Sequence, residues 1–227
     1  MNKIKAVLFD MDGVIFDTER AYLDTWTRVF QKHGYEMKKE IYISVMGTGR
    51  KNVKKTFLNI YGEGLPIEDM YKEKDEILAN IINEGKVPLK AGAKEILVYL
   101  KEHGYKTGLA TSAKKVRGEK QLKMAKIEKY FDKKIYGDNI INGKPDPEIF
   151  LKAANELGVY PEECIVIEDS SAGIEAAFRG KMYGIHVEDL KEADYIIKKY
   201  CFKNYKKLIE VREFIEKLEK SENLSTN

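Results

Sequence analysis

A short apolar run that stops abruptly in carboxylates constrains this chain more than any other feature. In Lys5-Ala-Val-Leu-Phe-Asp-Met-Asp-Gly-Val-Ile-Phe-Asp-Thr-Glu19, residues 6 to 9 have the length of a buried strand. Asp10, Asp12 and Asp17 follow at once, with Gly13 among them. Burying a strand that ends in several carboxylates is costly unless something cationic sits there. In an open α/β sheet, the carboxyl end of a strand is where ligands bind. The stretch therefore points to a carboxylate nucleophile and a hard metal ion at the tip of the first strand. The other reading of the same residues is a helix cap followed by a polar turn.

After Glu19 the apolar period becomes helical. Tyr22, Trp26, Val29 and Phe30 recur at helix spacing and stop near Gly34. A second helical pattern follows Gly49, through Val53, Phe57, Ile60 and Tyr61. A third runs from about Ile67 to Asn83 and is expected to bury Met70, Tyr71, Leu78, Ile81 and Ile82. Residues 18 to about 86 thus read as all-helical, and their aromatic stripe reads as helix–helix core.

From Lys90 onward strands and helices alternate. The expected strands are 107–110, 134–136, 164–168 and 183–187. The expected helices are 94–103, 114–126, 147–157, 172–179 and an amphipathic tail from about Asn204 to Lys220, with frayed residues beyond. This alternation predicts an α/β fold with a doubly wound parallel sheet. Residues 1–16 and 88–227 would form that core domain, and residues 17–87 an inserted helical domain.

Three more polar clusters follow strands or precede helices. Thr111 and Ser112 end the second strand, where a hydroxyl and a helix N-terminus suit a phosphate oxygen; simple capping accounts for them as well. Lys144 lies in Gly-Lys-Pro-Asp-Pro147, a turn stiffened by two prolines, and reads either as a fixed positive charge or as an exposed turn lysine. Glu168 and Asp169 end the strand 164–168. Magnesium takes one or two protein carboxylates and completes its octahedron with water and phosphate oxygens. Asp10 and Asp169, with Glu168 beside them, would supply such a set.

Composition removes several alternatives. Forty basic residues face 37 acidic ones, and a net charge of +3 makes no case for nucleic acid. The lysines read as solvated helix faces. No apolar stretch approaches the ~18 residues of a membrane span. The two cysteines, Cys164 and Cys201, lack metal-type spacing. With no signal-peptide pattern at the N-terminus, a cytoplasmic setting is expected, and with no strong exposed apolar stripe left once the core is assigned, a monomer is expected. His33, His103 and His186 fall outside every cluster, which argues against a Ser/His/Asp hydrolase.

The motif Asp10-Met-Asp12-Gly13-Val14, together with Lys144 and Glu168-Asp169, resembles the haloacid dehalogenase-like (HAD) hydrolase superfamily over nearly the whole chain. The resemblance is to the branch with a helical cap inserted after the first strand, home to β-phosphoglucomutase and many sugar-phosphate phosphatases. It implies that Asp10 attacks phosphorus and Asp12 acts as general acid and base. It also implies that Thr111, Ser112 and Lys144 hold phosphoryl oxygens. Mg²⁺ would sit on Asp10, the backbone carbonyl of Asp12, and Asp169, with Glu168 as a direct or indirect ligand. Gly47-Thr48-Gly49-Arg50 resembles the cap loop whose arginine faces a substrate's distal phosphate; the other reading of Arg50 is an exposed arginine at a helix N-terminus. The chain departs from the mutase pattern at Tyr22, where a hinge histidine is expected, and at Lys115, where an asparagine is. A phosphatase acting on a small phosphate ester is therefore expected, with a phosphomutase as the alternative. A non-catalytic binding module is disfavoured by the intact Asp10, Asp12, Lys144 and Asp169 set.

Overall fold

The computed structural model describes residues 3–46 and 50–225, and side chains up to residue 221. The chain divides into two compact units. One comprises Met1–Asp17 with Pro88–Asn227, and the other Thr18–Val87.

The larger unit is built on β1 (Ala6–Phe9), whose four residues are wholly buried. A strand covered on both faces has no polar side to show, which is why Ala-Val-Leu-Phe is continuous rather than alternating. Five strands join it: β2 (Lys106–Ala110), β3 (Lys133–Ile135), β4 (Cys164–Glu168), β5 (Tyr183–Val187) and β6 (Lys203–Tyr205). Their order is β3-β2-β1-β4-β5-β6, and every pairing is parallel. The chain builds outward from β1 on one side, then crosses to the other. The switch therefore falls between β1 and β4, and the crevice at their carboxyl ends is the expected ligand position.

The smaller unit holds α1 (Thr18–Lys32), α2 (Lys39–Val45), α3 (Arg50–Tyr61) and α4 (Ile67–Asn83). In the larger unit follow α5 (Ala93–Glu102), α6 (Lys115–Met124), α7 (Glu148–Leu157), α8 (Ser171–Arg179), α9 (Tyr195–Tyr200) and α10 (Leu208–Ser225). Ile149, Phe150 and Ala153 of α7, with Ala176 and Ala177 of α8, pack against Leu8, Ala110 and Val166. By the alternation of a strand, Val7, Phe9, Ile165 and Ile167 point to the other face. Among the described residues, no helix is long and apolar enough to cross a membrane.

In the helical unit Trp26 is the centre of an aromatic core. Its ring meets those of Phe30, Phe57 and Tyr71 edge to face at 5.7, 5.4 and 5.0 Å.

Several expectations need correction. Residues 203–205 form the edge strand β6 and not the start of the tail helix, which begins at Leu208. Lys-Asn-Tyr carries no apolar alternation because an edge strand needs only its backbone pairing with Ile185–Val187. Helices α2 and α9 are too short to show a period. Ile81 and Ile82 are only half-buried, since the buried stripe of α4 runs through Met70, Tyr71, Lys74 and Leu78. Lys74 is thus no solvated lysine: only 8% of it is exposed. The rings of Tyr22, Trp26 and Tyr71 surround its ammonium at 5.4 to 5.7 Å, and Asp75 pairs with it.

Candidate active site

The first strand ends in a tight turn. Ile15 and Phe16 both donate their N–H groups to the Met11 carbonyl, and Gly13 N–H donates to Phe16 O. This closes the backbone of 11–16 on itself and leaves Asp10 at the strand tip. Gly13 takes a left-handed φ of +80°. The Asp169 carboxylate lies directly over it: a Cβ at residue 13 would stand 2.2 Å from Asp169 Oδ2. Gly13→Ala should therefore destabilise the chain by about 1–3 kcal/mol through backbone strain alone, and push the Asp169 carboxylate aside. Urea unfolding beside a turnover assay checks this; an unchanged midpoint with full activity would mean that the turn relaxes freely.

Asp10 is buried, and its backbone N–H is donated to Ile167 O of β4 at 3.0 Å. Lys144 reaches the same point from the loop before α7. Its Nζ donates to Asp10 Oδ1 at 2.6 Å and also to Glu168 Oε1. The Lys144 side chain is 8% exposed, packs over the Phe150 ring, and lies 3.4 Å from the Ala110 carbonyl at the end of β2. Glu168 Oε2 accepts from the N–H and hydroxyl of Ser170 at 2.8 and 2.9 Å. Ser170 in turn caps α8, its hydroxyl accepting from Gly173 N–H at 3.1 Å.

The electrostatics follow from this packing. Burial, opposed by Lys144 and reinforced by the carboxylates of Glu168 and Asp12, pushes the Asp10 pKa up to about 7. Burial alone would lower the Lys144 pKa, but Asp10 and Glu168 more than offset it and raise it above the usual lysine range. One buried ammonium thus serves two carboxylates, with Asp12 and Asp169 close by. Among the described residues, no three or more His, Cys, Asp or Glu side chains are gathered to hold a metal by themselves.

Thr111 is buried at the end of β2, and its Oγ1 accepts from Ala113 N–H at 3.1 Å. Ser112 is exposed. Neither caps α6, whose N-cap position is Lys114 without a side-chain bond. Gly47, Thr48 and Gly49 of the expected cap loop lie outside the described residues. Arg50, in the helical unit, stacks over Tyr71 at 4.1 Å and donates to Asp75 Oδ2 at 3.2 Å. Tyr22 lines the Lys74 cluster. Lys115 gives its backbone N–H to Asp138 and turns its side chain toward Glu119.

Residues 7–187 match the family model described as haloacid dehalogenase-like hydrolase. The chain belongs to that family. A phosphorylated carbohydrates phosphatase from Thermotoga maritima is 34% identical over 193 residues, covering 80% of this chain and 85% of the relative. The β-phosphoglucomutase of Bacillus subtilis is 29% identical, covering 86% and 89%. The crystal structure of a β-phosphoglucomutase from Clostridium difficile superposes with a TM-score of 0.67 at 28% identity, covering 94% of this chain and 96% of that one.

Two side chains of this HAD-family hydrolase escaped the sequence reading. Arg117, two residues into α6, donates from Nη2 to Asp12 Oδ2. His186, wholly buried in β5, bonds through Nε2 to the Asp169 carbonyl at 3.0 Å and through Nδ1 to Asn204 Oδ1 at 2.7 Å. It ties the Asp169 backbone to the edge strand. In the sequence Arg117 was marked only by lying in the helix that follows Thr111 and Ser112, and His186 stood outside every cluster; it is the pairing of β4 with β5, Glu168 opposite His186, that brings the histidine to Asp169.

Proposed function

We propose that this enzyme is a Mg²⁺-dependent phosphatase that hydrolyses a small phosphorylated metabolite, a sugar phosphate, through an aspartyl-phosphate on Asp10. The observation that carries this reading is the Lys144 ammonium held between the buried carboxylates of Asp10 and Glu168. A carboxylate beside a fixed cation at a switch-point crevice is suited to attack a dianionic phosphoryl group, because the cation offsets repulsion between nucleophile and substrate.

In this mechanism an Asp10 oxygen attacks phosphorus. Asp12 gives a proton to the leaving alcohol, then takes one from the attacking water. Thr111 and Lys144 hold the phosphoryl oxygens. The carboxylates of Asp10, Asp12 and Asp169 offer hard oxygens, and the buried pair Asp10 and Glu168 exceeds the one ammonium that faces both. That charge excess fits a divalent cation of the Mg²⁺ kind, which needs only one or two carboxylates. Asp10, the Asp12 carbonyl and Asp169 would hold it. Both Glu168 oxygens are engaged by Lys144 and Ser170, so Glu168 acts through Lys144. Bound Mg²⁺ supplies charge neutralisation at the phosphoryl oxygens.

Choice of substrate is assigned, by the family resemblance, to the helical unit, with Arg50 as its candidate residue. A mutase reading draws on the β-phosphoglucomutase relatives; Tyr22 and Lys115 stand against it. The deciding experiment is product analysis on a panel of sugar phosphates, with Mg²⁺ and with chelator, including β-glucose 1-phosphate primed with the 1,6-bisphosphate. Metal-dependent inorganic phosphate without glucose 6-phosphate is the expected result. Glucose 6-phosphate without free phosphate would make the enzyme a mutase, and no product from any ester would end both readings.

A further inference from the structure

Arg117 reaches the first-strand turn from α6. Its Nη2 donates to Asp12 Oδ2, and the two side chains are about equally sheltered, 25% and 28% exposed. Its Nε is buried and meets no hydrogen-bond partner among the described residues. The pair is not the chance meeting of a long surface side chain with an acid. The next residue, Gly118, is buried, and a Cβ there would stand 2.5 Å from Cε1 of the buried Tyr136. Only a glycine lets α6 lie this close to the end of β3. The lead-in to the helix is fixed as well, because Gly137 N–H donates to Ala113 O at 2.9 Å. The backbone that carries Arg117 is thus pinned on both sides.

We propose that Arg117 is a positioning residue for Asp12. By holding Oδ2 it confines the transferable proton to Oδ1 and fixes the direction in which Oδ1 faces. This rests on the phosphatase reading of the site. An oxygen that accepts from a guanidinium N–H faces a donor whether Asp12 is an acid or a carboxylate, so the proton resides on the other oxygen. In the first half-reaction a bond forms between an Asp10 oxygen and phosphorus. The bond from phosphorus to the leaving oxygen breaks, and that oxygen takes the proton from Oδ1. In the second, a water oxygen attacks phosphorus, its proton returns to Oδ1, and the Asp10–phosphorus bond breaks to release inorganic phosphate. Both steps balance without a further reactant.

The consequence is a leaving-group signature. A sugar alkoxide must be protonated as it departs, whereas p-nitrophenolate departs unaided. Arg117→Ala is expected to slow phosphoenzyme formation from an alkyl phosphate about tenfold or more, and from p-nitrophenyl phosphate by less than about twofold. Arg117→Lys is expected to recover part of the alkyl-ester rate. In an Asp12→Ala background, Arg117→Ala should add nothing, since residues acting through one another are not additive. The experiment is rapid-quench measurement of the released alcohol from both esters with saturating Mg²⁺. Arg117→Gln is measured alongside, in case the alanine variant does not fold. Equal losses on both esters, additive losses with Asp12→Ala, or a rise in KM alone would each overturn the proposal. Failure of the unsubstituted enzyme to cleave either ester would instead overturn the phosphatase reading.

Discussion

Asp10→Asn is expected to abolish turnover, by on the order of 10⁴-fold or more, while the chain still folds. An amide offers no anionic oxygen to attack phosphorus, yet it fills the same space at the strand tip. It also keeps an acceptor oxygen for Lys144. The same substitution should change how stability depends on pH in the metal-free protein. Burial raises the Asp10 pKa from 3.8 to about 7. A carboxyl whose folded-state pKa is raised favours the folded state fully below the unfolded value, and that contribution is lost as pH climbs through the folded one. Metal-free wild type should therefore lose stability between about pH 4 and pH 7 relative to Asp10→Asn, and the variant should be the more stable at pH 8. Urea unfolding of both proteins at pH 5 and pH 8, with chelator, reads this directly. Parallel pH profiles would mean that Asp10 is already ionised at low pH, and measurable steady turnover by the variant would remove it as nucleophile.

Lys144→Met should be the most destabilising single change at the site. Its ammonium sits between Asp10 and Glu168 with both contacts sheltered from water. Methionine fills much of the stem's volume against Phe150 but leaves two buried carboxylates facing each other. Breaking a buried ion pair from one side costs about 3–5 kcal/mol. Activity should fall by roughly 10²–10³-fold as well, the usual cost of removing one fixed donor from a developing anionic centre. The two losses are separable. Adding Glu168→Gln should restore part of the stability, because it removes one uncompensated charge, but it should not restore turnover. Denaturation midpoints of the single and double variants, read beside phosphate release, test this. A double variant no more stable than the single one would mean that Lys144 stabilises the fold by packing rather than by charge.

Much of the core was legible from local pattern. The bounds of β1, β4 and β5 could be read from apolar runs because a strand covered on both faces must be apolar throughout. The span of α4 followed from its period. The sixth strand could not be read in this way, since Lys203-Asn204-Tyr205 is held by backbone pairing at an edge, and its side chains carry no burial signal. Lys74 misled for a related reason: charge alone suggests solvent, and only the packing of three aromatic rings around one ammonium made burial tolerable.

The sequence by itself determined which residues stand at the strand tips: Asp10 after Phe9, Thr111 after Ala110, Glu168 and Asp169 after Ile167. It did so because periodicity is a one-dimensional property, set within a few residues. Only the tertiary structure decided which of them meet. Lys144 reaches Asp10 across 134 residues, and Arg117 reaches Asp12 across 105. Those meetings depend on the order in which parallel strands are laid beside β1, and on the close approach that Gly118 allows α6. Strand order and helix approach are set by burial summed over the whole sheet, a quantity that no local stretch of the chain contains.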